Sequence, residues 1–248
     1  MSGPFEFSTV VAYWDVDREQ RMTLGGVFKL LQEAAIKHAD QFGLGTKAMA
    51  TRGESWVLNR LATAIHRYPR YEEKLKVVTW SAGITGFRGY RELRVYSGRE
   101  LLVTASTLWL YVNLSTKSLT RVPAELAAQF PAGSTTDIFR PDLDKLRLKP
   151  PAAGSTTVPV SLRYSDFDGN GHLNNTAYFD CLQTALARAG HTACPAHIEM
   201  QFLKEVLPSV DQIEVALEPG AGGVAFGLSG AGELRAQGAV SPGQVKVG

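Results

Sequence analysis

The chain has 248 residues, 26 Lys and Arg against 24 Asp and Glu, and 44% hydrophobic residues. Near-neutral charge without a basic stripe interleaved with aromatics argues against nucleic acid as a partner, and no apolar run approaches the roughly 18 residues of a membrane span. Two cysteines, Cys181 and Cys194, are too few for a disulfide framework and fit a reducing cytoplasm; the opening residues lack the charged head and apolar core of a secretory signal.

In chain order, a β-type run, FSTVVAYW, leads into an Asp-x-Asp turn at Asp15 and Asp17. Val27, Leu30, Leu31, Ala34, Ala35 and His38 then follow the three-four spacing of one buried helix face. Gly43 or Gly45 is placed to cap that helix in the left-handed conformation. Four strand-like runs follow: WVLNRLATAIHRY, KLKVVTWSAG, YRELRVYS and LLVTASTLWLYVNL. Residues 115–157 carry several prolines and the tract PPAAGSTT, which reads as a linker with some irregular structure.

The order then starts again. TTVPVSLRY leads into a second Asp-x-Asp turn, at Asp166 and Asp168. A helix is expected from the N-cap residues Asn174 or Asn175 to Gly190. HIEMQFLKEVL, DQIEVALEP, GVAFGLSG and ELRAQGAV follow as strands. Set over one another without a gap, Tyr13 meets Tyr164, Asp15 meets Asp166, Asp17 meets Asp168, Phe28 meets Phe179 and Gln32 meets Gln183. The chain is therefore a tandem repeat: residues 1–114, the linker 115–157, and residues 158–248. One long helix, roughly 25–30 Å in each copy, followed by several antiparallel strands is an α+β unit.

The second turn, DFDGNGHLNN, imitates the front of an EF-hand loop, but the twelfth position, where a bidentate Glu belongs, is Ala177. No metal or other cofactor is expected. The difference between the copies is more informative: Asn170 stands opposite Glu19, and His172 opposite Arg21. Asp168, Asn170 and His172 fall at alternate positions, which in an extended segment point the same way. They run into a helix start, whose free N–H groups and positive dipole end suit a carbonyl that develops negative charge. Capping Asp and Asn with a solvated His would be the bland alternative.

DFDGNGHLNNTAYF resembles the Asp-x-Asp-x-Asn-x-His-x-Asn-Asn-x-x-Tyr signature of the acyl-acyl-carrier-protein thioesterases, and TLWLYVNLSTKSLTRVPAEL resembles that family's Trp strand and the basic, Pro-containing segment after it. The likeness runs from about Phe5 to about Val240. It implies two tandem hot-dog units, each a sheet wrapped around a long helix, with an acyl tunnel largely in the first and the polar network in the second. It implies hydrolysis of fatty acyl-carrier-protein thioesters, with acyl carrier protein as the partner. Asp168, Asn170 and His172 match the family's loop members. QFLKEV resembles its Glu-containing strand, which places Glu205 as a fourth member and Val206 where plant members carry Cys. On that basis Glu205 and His172 activate water, Asn170 orients the thioester, and Asp168 either orients its neighbours or attacks directly. The backbone at Asn174 and Asn175 is the candidate oxyanion hole.

Elsewhere, Cys181 is expected in the core and Cys194 as a free thiol in a turn. His38 is read as part of the first helix's packed face. His66, opposite Glu205 in the approximate repeat, is expected in the core or lining the cavity. Trp56, Trp80 and Trp109 are expected to pack the sheet or shape the tunnel. The rival functions are acyl-CoA or aryl-CoA hydrolysis, a hydratase, and a non-catalytic acyl-binding protein. The assembly is expected to be a monomer or a homodimer.

Overall fold

The structure, a computed structural model, describes residues 4–130, 133 and 136–243. The first copy comprises β1 (Phe5–Val10), α1 (Leu24–Asp40), α2 (Thr46–Thr51), β2 (Glu54–Ile65), β3 (Lys74–Thr85), β4 (Arg88–Ser97) and β5 (Glu100–Asn113). The connector carries β6 (Ser118–Leu119), α3 (Ala124–Gln129) and a 3-10 turn at Leu143–Lys145. The second copy comprises β7 (Thr156–Ser161), α4 (Asn175–Arg188), β8 (His197–Phe202), β9 (Gln212–Gly220), β10 (Gly223–Gly230) and β11 (Glu233–Ser241).

All these strands join one antiparallel sheet in the order β1-β3-β4-β5-β2-β8-β11-β10-β9-β7, with β6 on β5. The order is a palindrome: each strand of the first copy has its counterpart at the mirrored place. The two halves join where β2 meets β8, from Arg60 opposite Gln201 to Ala64 opposite His197. The joint satisfies the inner edge of each half-sheet, the edge a lone unit would leave open.

Both helices start on the caps that the repeat aligns. The Thr23 hydroxyl accepts from Gly26 N at 3.0 Å, and the Asn174 side chain accepts from Thr176 N at 2.9 Å. Gly43 and Gly190, at φ 65° and 77°, supply the left-handed residue just past each helix. With 14 residues α4 is about 21 Å long, shorter than expected. The apolar faces of α1 and α4 meet inside the curved sheet, and one core cluster spans both copies. Phe28 and Phe179, counterparts in the repeat, stack face to face across that contact at 3.5 Å between ring centroids. The helices approach so closely that a Cβ on Gly25 would fall 2.0 Å from Asp180 Oδ1.

The run HIEMQFLKEVL was expected to be strand throughout, but β8 ends at Phe202. A bulge in β2 between Leu58 and Arg60 removes the next ladder partner. The Asn59 amide donates to Phe202 O instead, at 3.1 Å. Glu205 therefore lies in an irregular segment beyond the strand.

The connector is laid across the outer face of the first half-sheet, where Leu143 and Leu146 pack on Ala62 and Leu108. Glu92 fastens it. Its carboxylate accepts from Phe139 N and the Ser106 hydroxyl and pairs with Arg94. Arg94 also reaches Asp137 at 2.9 Å and lies over the Trp80 ring.

Candidate functional site

The two Asp-x-Asp turns have the same backbone design. Asp17 N donates to Arg21 O, and Asp168 N donates to His172 O. The Asp17 carboxylate gathers the N–H groups of Glu19 and Arg21 at 2.8 and 2.9 Å. Asp168 gathers those of Asn170 and His172 at 2.8 and 3.5 Å. Residues 168–172 are thus a tight turn closed on a carboxylate, not the extended run expected, and alternation does not align their side chains. Asp168 holds the turn as Asp17 does. In the first copy Arg21 closes back onto Asp17 and Glu19 in a surface ion cluster, whereas His172, at the matching place, is free to face elsewhere. The exposed Asn170 side chain makes no hydrogen bond to a described residue.

His172 faces Glu205: Nε2 lies 3.1 Å from Oε2. Several contacts aim Glu205. Leu203 N and Lys204 N donate to Arg235 O, the Arg235 guanidinium donates to Glu205 O at 3.0 Å, and Leu173 N donates to Val206 O at 2.9 Å. The last bond ties the segment directly to the His172 turn. Val206 is fully buried, so the side chain at this position points into the core rather than at the site. Lys117, from the β5–β6 turn, reaches Glu205 at 3.6 Å. With Nε2–H donated to Glu205, His172 Nδ1 is left as the proton acceptor.

The start of α4 is asymmetric with the start of α1, and the asymmetry marks a second candidate part of the site, one that sequence reasoning missed. Leu24 N donates to the Gln183 side chain at 2.9 Å. The repeat's counterpart of that pair is Asn175 N with Gln32, and these two do not bond. Instead Asn175, Gln32 and Thr63 line a cavity of about 30 Å³. Thr63 is 2% exposed and its hydroxyl has no partner among the described residues. Asn174 behaves differently from the expectation: its N–H is engaged by Asp166 O at 2.8 Å and its side chain serves as the cap. The Gln32–Gln183 identity in the repeat was the available signal, but only coordinates reveal that one Gln is used and the other is not.

Ala35 and Trp109 line both this cavity and a larger one of about 120 Å³ inside the first copy, walled by Ile36, Leu44, Met49, Trp56, Ile84 and Phe130 among others. Trp56 and Trp109 therefore shape a cavity. Trp80 belongs to the face under the connector. His66 departs from its expected place: it follows the end of β2, is exposed, and contacts Thr104. Cys181 is buried and its thiol is pushed up to about 12 by burial, which makes it a core residue. Cys194 is half-buried and unpaired.

His38 is buried against Phe5, Phe42 and Phe130, and its Nδ1 lies 2.7 Å from Arg91 Nη1. Burial, then the Arg91 charge, pull it down to about 4. Folding keeps this ring neutral, whereas the unfolded chain protonates it near pH 6.5. Stability is therefore lost as pH falls from about 6.5 towards 4, on the order of 2 kcal/mol at pH 5. Thermal melts at pH 7.5 and 5 should show this drop, and His38→Gln should flatten it.

The comparisons with known proteins agree with this architecture. A family model described as the acyl-ACP thioesterase N-terminal domain matches residues 4–130, and one for the C-terminal domain matches residues 151–227. The chain belongs to the acyl-ACP thioesterase family. It is 25% identical over 223 residues to a chloroplastic palmitoyl-acyl carrier protein thioesterase of Cuphea hookeriana, covering 85% of this chain and 54% of that one. The chain spans about half the length of the plant thioesterases it matches. An acyl-ACP thioesterase of Bacteroides thetaiotaomicron superposes with a TM-score of 0.81 at 21% identity, covering 96% of this chain and 97% of that one. The 12:0-ACP thioesterase of Umbellularia californica superposes with a TM-score of 0.80 at 19% identity, covering 96% of each. At these identities the two structures establish the double hot-dog fold. Among the described residues, no helix is long and apolar enough to cross a membrane.

Proposed function

We propose that this thioesterase-family chain hydrolyses fatty acyl-carrier-protein thioesters to free fatty acid, with the chemistry in the second unit and the acyl chain in the first. The observation that carries the reading is the His172–Glu205 pair at 3.1 Å, formed beside a helix start that opens on an apolar cavity. The pair activates water. The water oxygen attacks the thioester carbonyl, its proton passes to His172, and the tetrahedral intermediate expels the carrier thiolate, which takes that proton. Asn175 N–H and the Gln32 amide donate to the developing oxyanion, and the cavity past Trp109 and Ala35 receives the alkyl chain. Asn170, exposed on the loop, orients the arriving thioester. Asp168, closed on two backbone N–H groups, acts by holding the turn; this favours attack by water over attack by the aspartate. Lys117, 81% exposed beside Glu205, suits an acidic carrier. Unpaired Cys181 and Cys194 support a reducing compartment such as the cytoplasm.

The test is a panel of acyl chains presented on carrier protein and on CoA. Turnover on the carrier should exceed turnover on CoA for the same chain, and no hydrolysis of either would overturn the reading. In the same assay Gln32→Ala is expected to lower kcat roughly 10²-fold with little change in KM, as loss of one oxyanion donor does. Gln183→Ala, which uncaps Leu24 N, should lower stability and spare kcat.

A further inference from the structure

Arg91 projects inward from β4 into the larger cavity of the first unit and is 8% exposed. Its Nη1 contacts His38 Nδ1 at 2.7 Å and donates to the Thr79 hydroxyl at 3.1 Å. Among the described residues, Nε and Nη2 have no hydrogen-bond partner and no carboxylate pairs with the guanidinium. Burial alone pulls the group down to about 10, so it is still a cation at neutral pH. A guanidinium carries five N–H donors in a planar fork matched to a carboxylate. A role limited to holding α1 against the sheet uses only one of its nitrogens.

An isolated buried charge is costly, and burial without an anion leaves that cost unrelieved. Around the cation the walls are mostly alkyl and aromatic, with Ala35, Ile36, Leu44, Met49, Trp56 and Phe130 among them and Ser55 and Ser81 as small polar exceptions. The Arg91 guanidinium carbon lies 5.5 Å from the Phe130 ring centroid. The neighbouring His38 is kept uncharged and can accept only the one hydrogen bond it already receives. A plain alkyl chain would fill the walls and leave the fork bare; a small anion would meet the fork and leave the walls bare.

We propose that this cavity is a site for an alkyl chain that ends in a carboxylate, with the carboxylate on the free edge of Arg91 and the chain against the apolar walls. Two sources share that chemistry: the far end of a carboxy-terminated acyl substrate, and a free fatty acid entering head first. The first source rests on the acyl-thioester hydrolysis proposed above; the second does not.

The test is binding, read from the fluorescence of Trp56 and Trp109, which line the cavity. Dodecanoate and dodecanol are titrated at pH 8, where the acid is ionised. Wild type is expected to bind dodecanoate at least tenfold more tightly. Arg91→Met should remove that preference while still binding dodecanol, and Arg91→Lys should retain part of it. Should Arg91→Met fail to fold, the wild-type ratio and the lysine variant decide. Equal affinity of wild type for acid and alcohol overturns the proposal, as does an undiminished preference in a folded Arg91→Met. The substrate arm compares turnover of dodecanoyl-carrier protein with that of its ω-carboxy analogue. Faster turnover of the analogue assigns the site to substrate, and slower or equal turnover alongside tight dodecanoate binding assigns it to the free acid. Tight dodecanoate binding without any hydrolysis would uphold this site while removing the proposed function.

Discussion

His172→Ala and Glu205→Gln are each expected to lower kcat for acyl-carrier-protein hydrolysis by about 10²–10⁴-fold, the range for loss of a positioned acid–base group. Both side chains are substantially exposed, at 39% and 44%, so the substitutions should leave the unfolding midpoint nearly unchanged. That separates a chemical effect from a folding one. Because the two groups act as a unit, the double variant should be little worse than either single one. Glu205→Gln retains an acceptor for His172 Nε2–H but loses the charge that stabilises the imidazolium formed on proton uptake. A raised KM with kcat unchanged would instead place the pair in binding. Full activity in both variants would sink the assignment and leave the cavity without its chemistry. Lys117 offers an internal check. Its exposed contact with Glu205 is screened by water, so Lys117→Ala should change carrier affinity and its salt dependence more than kcat.

The tandem plan was legible because each copy repeats not only a helix and strands but the residues that make the turn. Thr23 and Asn174 cap, Asp17 and Asp168 gather backbone N–H groups, and Phe28 and Phe179 meet at the axis. Pattern cannot distinguish a residue repeated for the fold from one repeated for chemistry. Asp168 illustrates this: the family signature puts it in the candidate catalytic set, and its match to Asp17 gives it a turn-holding duty as well. Glu205 was proposed by resemblance and misplaced onto a strand, because the Asn59 bulge that ends β8 lies in the other copy, more than a hundred residues earlier. Gln32 was missed for a related reason. Whether a helix-start N–H is capped by a partner helix is a property of packing, and the two copies differ there although both carry Gln. The cavity lining was equally hidden, since Arg91 has the spacing of an ordinary strand residue, and only its inward face and missing counter-ion set it apart.

The connector yields the largest expected effect on stability. Glu92 is 2% exposed, and its Oε2 lies 3.0 Å from Arg94 Nη1. Burial raises its pKa, while Ser106, Phe139 N and Arg94 oppose the shift by hydrogen bonding the ionised form. Glu92→Ala removes three partners at once and leaves the buried Arg94 guanidinium with Leu93 O, the Trp80 ring and, as its remaining carboxylate among the described residues, Asp137, which is 63% exposed. A cost of about 3–5 kcal/mol is expected, the usual result of taking one member from a buried pair, measurable by urea unfolding. Glu92→Leu combined with Arg94→Met should cost clearly less than Glu92→Ala, because no bare charge remains, although Phe139 N still loses its acceptor. The same carboxylate fastens residues 137–140 to the sheet, so Glu92→Ala should also expose the connector to proteolysis before global unfolding. A cost below about 1 kcal/mol would mean that Leu143 and Leu146, packed on Ala62 and Leu108, hold the connector by themselves. The pair would then resemble a surface ion pair in energy despite its burial.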